Sequence, residues 1–220
     1  MDRSQAQPAP HRTHRRRALA QVGWALALWL LLQLVLAVPY VMLQGLRGEL
    51  GAVPRASAEG MVVSAVIGTL ATLATIWWMR RREGLWESLR TWGLRPGPAW
   101  PAEAALGLAL GPLLFGLVFG VGVAAGWVQG VSVEADGLAM LQGLLVTLLV
   151  AFSEEVLMRG YVLQTLLPAW GLRASLLLQA GIFAVLHGLN PGMSPAAVVN
   201  LAVSGLVFGY AWKATGRLWL

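Results

Sequence analysis

Between Leu138 and Phe152 this 220-residue chain carries no charged side chain, and directly afterwards come two carboxylates and a guanidinium, Glu154, Glu155 and Arg159. The stretch is one of six apolar segments, approximately 22–46, 60–79, 103–127, 138–163, 174–189 and 196–212. About 20 helical residues cross a ~30 Å hydrocarbon core. Backbone amides at that depth find partners only within helices or closed barrels. With 57% hydrophobic and 12% charged residues, the chain is predicted to be an all-α polytopic membrane bundle of about six transmembrane helices. The first segment follows Arg12, Arg15, Arg16 and Arg17, yet it is too long for a cleaved signal h-region of about 7–15 residues. It is read as an uncleaved first helix.

The basic residues give orientation. All but Lys213 of the 16 are arginines, gathered in the N-terminal tail and in the 80–101 connection (Arg80, Arg81, Arg82, Arg90, Arg95), with Arg173 between segments four and five and Lys213 and Arg217 after segment six. The intervening loops are neutral or acidic, so short-loop arginine bias predicts a cytoplasmic N-terminus. The net charge of +6 is then a topology signal, and no nucleic-acid partner is expected. Residues 1–21 read as a basic, disordered cytoplasmic tail in which His11 and His14 have no catalytic role. Residues 22–127 read as three transmembrane helices, whose 80–101 loop carries Trp86, Leu89, Trp92 and Leu94 among its charges. That loop is either an amphipathic segment on the inner surface or a plain loop. Residues 138–220 hold the chemistry. The absence of cysteine excludes disulfides, thiolate metal sites and a cysteine nucleophile.

A carboxylate at membrane depth costs on the order of 2.5–3.5 kcal/mol even on a lenient insertion scale, so such groups pair or work. On a helix Glu155 and Arg159, at i and i+4, share a face, while Glu154 is turned away by about 100°. Glu155 is thus neutralised by Arg159 and Glu154 is left over. On the fifth segment His187 lies four residues after Phe183, on the same face. A carboxylate and an imidazole brought together can deprotonate a water. The bland alternative is a structural ion pair and a hydrogen-bonded helix-end histidine. Zinc is disfavoured by spacing, because Glu154 and His187 lack the two-His pattern of HExxH enzymes.

These residues resemble a known family, the CPBP intramembrane metalloproteases, which include type II CAAX prenyl endopeptidases and bacteriocin-processing or immunity proteins. Glu154-Glu155-Val156-Leu157-Met158-Arg159 is similar to the family's EExxxR motif. Phe183-Ala184-Val185-Leu186-His187 is similar to its FxxxH motif. Gly205, Phe208, Gly209, Tyr210, Thr215, Gly216, Leu218 and Trp219 look like its later small-residue helix and TG-x-LW stretch. The resemblance implies that Glu154 and His187 activate water, that Glu155, Arg159 and Phe183 support them, and that a prenylated CAAX-type or other hydrophobic or lipidated peptide is cut. The expected setting is membrane lipid, the bacterial cytoplasmic membrane, and the arginine-based topology puts Glu154 and Glu155 in the cytoplasmic half of the fourth helix, so that the site faces the cytosol. A divalent metal such as zinc is implied by the family name only. The family pattern continues with a further helix bearing a second His and, four residues on, Asn or Asp. This chain reads only to Leu220, and a fragment is the expectation.

Asn200, which shares a face with Ser204 on the sixth segment, is a candidate substitute donor, although packing is the commoner use of such residues. Gly205 and Gly209 form a small-xxx-small packing face. Two readings of different class stand side by side: an intramembrane endopeptidase, and a non-proteolytic immunity or scaffold protein of the same fold. A proton-coupled transporter finds no support in repeats or paired broken helices.

Overall fold

A computed structural model describes residues 12–47, 57–84, 94, 97–130, 136–188, 190 and 192–218. They are helical without strands, in the order α1 (Arg12–Leu46), α2 (Ala58–Arg82), α3 (Trp100–Ala124), α4 (Gly137–Leu157), a wide π turn (Met158–Leu163), α5 (Gln164–Gly188) and α6 (Pro195–Thr215). Among the described residues five helical stretches are long and apolar enough to cross a membrane, the longest being Gly137–Gly188 at 52 residues. This is an integral membrane protein. Its outward surface is oily throughout, with Leu34, Phe115 and Leu138 each more than 60% exposed.

The helix starts follow local chemistry. Ser57, Asp136 and Ser194 precede α2, α4 and α6, and each side chain accepts from an N–H of the first turn: Gly60 at 3.0 Å, Leu138 at 2.9 Å and Ala197 at 3.1 Å. Such caps satisfy donors that have no partner within the helix. Arg80, Arg81 and Arg82 close α2, where cations suit the helix dipole. Gly216, at φ 68°, ends α6 in the left-handed conformation that favours glycine after a helix.

The 52-residue stretch is two crossings. Gly171 interrupts it with φ 70° and ψ 173°, and the chain folds back there. Gly171 lies 17 residues after Glu154 and 16 before His187. At 1.5 Å per residue both arms are about 25 Å long, so the hairpin returns His187 to the level of Glu154. The return arm carries α6 against it. A Cβ on Gly205 would lie 3.0 Å from Ala180 Cα, and one on Gly209 would lie 2.7 Å from a Leu176 methyl. The two glycines therefore serve the close helix approach expected of a small-xxx-small face.

Helices α2 and α4 run parallel with a constant offset. Thr69 donates to Leu149 O at 3.2 Å and Arg80 to Gly160 O at 3.0 Å, each pair 80 residues apart. This offset sets Glu154 level with Ala74, eight residues short of Arg82, or about 12 Å. The α1 helix runs antiparallel to α2, with Trp29 Nε1 donating to Thr72 at 3.0 Å. The shared core joins Val22, Ala25, Ile76, Val156, Tyr161 and Phe183. Of the residues in α3 only Gly122 is buried, and an ion pair from Arg217 to Glu103 ties this helix to the segment after α6.

One expectation is corrected. Residues 12–21, read as part of a disordered tail, form the first turns of α1. No Pro or Gly interrupts them, Arg, Ala, Leu and Gln favour helix, and Arg15 stacks over Trp170 at 5.0 Å while donating to Ala169 O. Residues 1–11 and half of the 80–101 connection, including Trp86, Leu89 and Trp92, lie outside the described residues. Leu94 packs against the core.

Candidate active site

Glu154 and Glu155 point in different directions and meet different partners. Glu155 Oε1 lies 2.8 Å from Arg159 Nη1, and the Arg159 side chain is 1% exposed. The guanidinium also lies over the rings of Phe183 at 5.3 Å and Phe208 at 5.4 Å, faces that attract cations. Its Nε and Nη2 have no hydrogen-bond partner among the described residues. Glu155 is therefore the counter-charge of a buried cation.

Glu154 is instead held across the hairpin. Its Oε1 lies 3.2 Å from His187 Nε2, and His187 Nδ1 lies 2.9 Å from Phe183 O. A carbonyl can only accept, so Nδ1 bears the proton. Nε2 then either accepts from a protonated Glu154 or, as part of an imidazolium, donates to its carboxylate. Both descriptions leave one exchangeable proton between the two side chains. Phe183 links the two halves of the site: its ring packs against that of His187, tilted by 48° at a centroid distance of 4.3 Å, and lies under the Arg159 guanidinium.

The pair opens on a cavity of about 340 Å³. Beyond Glu154 and His187, its polar lining is Gln33 of α1, Ser64 and Thr72 of α2, Ser153 and Asn190. The apolar wall runs along α2 from Thr72 past Gly68 to Met61, about 16 Å of helix. The cavity thus extends from the carboxylate toward the end of α2 opposite its arginines.

Asn200 is not brought to the pair. It is exposed on α6, where its carbonyl accepts the Ser204 hydroxyl at 3.0 Å. The α6 helix meets α5 through Gly205, and five residues of helix turn Asn200 about 140° from that contact. Asn190 lines the cavity in its place. Its N–H caps α5 by donating to His187 O at 3.0 Å, and the short His187-Gly188-Leu189-Asn190 spacing was the available signal for it. The contributions of Gln33 and Ser64 had no such signal, because they depend on which helices are neighbours.

The donor set does not fit zinc. Among the described residues no three His, Asp or Glu side chains come together, and Glu154 with His187 offers two donors where catalytic zinc takes three from the protein.

Comparison with protein-family models matches residues 136–220 to type II CAAX prenyl endopeptidase Rce1-like. Comparisons with curated proteins and with solved structures gave no match. The matched region runs from the cap of α4 through the hairpin and α6, and so contains Glu154, Glu155, Arg159, Phe183 and His187. Residues 136–220 of this chain are thus similar to the Rce1-like type II CAAX prenyl endopeptidases.

Proposed function

We propose that the protein is an intramembrane endopeptidase that hydrolyses a peptide bond of a prenylated CAAX-type or other hydrophobic peptide. The observation that carries this reading is the contact between Glu154 and His187 at 3.2 Å on the wall of a cavity within the bundle. Glu154 takes a proton from a water in the cavity, and the water oxygen bonds to the scissile carbonyl carbon. As the tetrahedral intermediate collapses, the C–N bond breaks and that proton passes from Glu154 to the leaving amine, with His187 keeping Glu154 in place through both transfers. Asn190 and Gln33 supply N–H donors for the peptide. The cavity suits a substrate whose peptide end sits at Glu154 and whose lipid tail lies along α2 toward Met61.

The test is cleavage of a farnesylated CAAX peptide by the purified protein in lipid nanodiscs. One bond is expected to be cut, with the rate falling roughly 10²-fold for His187→Ala. Intact peptide in the presence of well-folded wild-type protein would favour the non-proteolytic reading.

The site is assigned to the cytosolic half of the bilayer. This rests on the arginines that end α2 about 12 Å from the level of Glu154. Because the chain has no native cysteine, single cysteines report topology without a background. Ser132→Cys is expected to react with an impermeant maleimide added to intact cells, and Ser88→Cys only after the cells are opened. The reverse pattern would invert the orientation.

A further inference from the structure

The arginines at the end of α2 read from sequence as a topology signal, but Arg80 is not at the surface. Its side chain is buried, with 7% of the residue exposed, and its Nη2 donates to Gly160 O at 3.0 Å and to Gln164 Oε1 at 3.1 Å. The guanidinium lies 5.7 Å from the centre of the Tyr161 ring. Tyr161 is fully buried, and its hydroxyl donates to Glu83 Oε1 at 2.7 Å. The last turn of α2 and the residue that follows it thus grip the wide turn Met158–Leu163 from one side.

That turn needs an external partner. In a continuous α-helix Gly160 O would accept from the Gln164 N–H, but here the Gln164 N–H goes to Tyr161 O. Arg80 therefore donates to a carbonyl from which the Gln164 N–H is turned away. The same turn contains Arg159, and it begins four residues after Glu154. An inserted π turn rotates everything on one side of it relative to the other. Upstream lies Glu154. Downstream lie the hairpin at Gly171 and, at the end of its return arm, His187. The state of the turn sets how the two arms face each other.

We propose that Arg80 is a positioning residue for the reacting pair: by holding the π turn through Gly160 O and Gln164, it keeps Glu154 in register with His187. The catalytic part of this inference rests on the reading of Glu154 and His187 as the reacting groups. The geometric part does not.

The experiment separates the two. The chain has three histidines, His11, His14 and His187, so protein labelled with ¹⁵N-histidine gives few ring signals, and those of His187 are assigned with His187→Ala. Glu154→Gln defines where they move when the carboxylate is lost. For Arg80→Gln the ring signals are expected to shift toward the Glu154→Gln positions. The kcat on a farnesylated peptide should fall at least roughly tenfold with KM changed less than about twofold, since about 1 Å of misplacement at a reacting group can cost roughly 10²-fold. Arg80→Lys, which keeps a donor for Gly160 O but loses the fork that also reaches Gln164, should fall between. If Arg80→Gln does not yield folded protein, Arg80→Lys and Gln164→Ala are read in the same way. Ring signals that stay at the wild-type positions in the folded Arg80 variants would overturn the proposal. So would His187 signals indifferent to Glu154→Gln, because there would then be no contact to hold. If the wild-type protein cuts no peptide while Arg80→Gln still moves the His187 signals, the positioning role stands and the proteolytic reading falls.

Discussion

Glu154→Gln is expected to remove hydrolysis of a prenylated peptide, by roughly 10²–10⁴-fold, while leaving the amount of folded membrane protein close to wild type. Geometry supplies both halves of the expectation. In the proposed reaction the carboxylate is the acceptor for the proton of water, and it shares one proton with His187 across 3.2 Å. A glutamine amide has nearly the same shape and can still donate to Nε2, so the hairpin keeps its cross-link. It cannot accept a proton and return it. Nor does the substitution strip a charge of its partner, because the buried Arg159 is paired with Glu155 at 2.8 Å. Parallel measurements of kcat and of thermal unfolding in the same nanodisc preparation decide the matter. A Glu154→Gln protein within about threefold of the wild-type rate would remove Glu154 from the role of base.

That division between two adjacent glutamates was legible in the sequence because it is a local property. An i, i+4 pair and a neighbour turned by about 100° follow from helix geometry alone. The six apolar runs were legible for a similar reason, although hydropathy marks the oily slab rather than the helix. The first helix begins at Arg12 instead of position 22, and the second runs on to Arg82 instead of 79, since arginines leaving the membrane remain good helix formers. What stayed hidden was how α1 and α2 meet the rest of the bundle. The 80-residue offset that brings Arg80 to Gly160 and the meeting of Gln33, Ser64 and Asn190 around one cavity depend on which helices pack together. Apolar periodicity does not encode that where lipid and protein interior are equally oily. The hairpin at Gly171 was half legible. A break between 163 and 174 was expected, but the helix continues to Trp170, and one glycine with positive φ makes the reversal. The equal arms that return His187 to Glu154 follow from that single position.

Glu155→Gln is expected to act on stability where Glu154→Gln acts on rate. Arg159 is 1% exposed, its one hydrogen-bonded partner among the described residues is Glu155, and the two aromatic rings against it supply no negative charge. Neutralising Glu155 leaves a buried cation uncompensated, a change that costs about 3–5 kcal/mol when a pair is well buried. Against a total stability of about 5–15 kcal/mol, that is enough to deplete the folded protein and to lower its unfolding temperature sharply. The loss belongs to the stranded charge and not to the missing attraction, so removing both charges should undo much of it. Glu155→Gln combined with Arg159→Met places a flexible apolar side chain of similar length between Phe183 and Phe208. It is expected to recover a large part of the folded yield. Turnover per folded molecule should fall far less in Glu155→Gln than in Glu154→Gln, because the contact with His187 is untouched. The measurements are thermal unfolding and active-fraction kinetics for the two single variants and the double variant. If Glu155→Gln unfolds at the wild-type temperature, or if the double variant is less stable than Glu155→Gln alone, Glu155 is not the counter-charge that makes a buried Arg159 tolerable. The ring contacts with Phe183 and Phe208 would then have to hold the guanidinium without it.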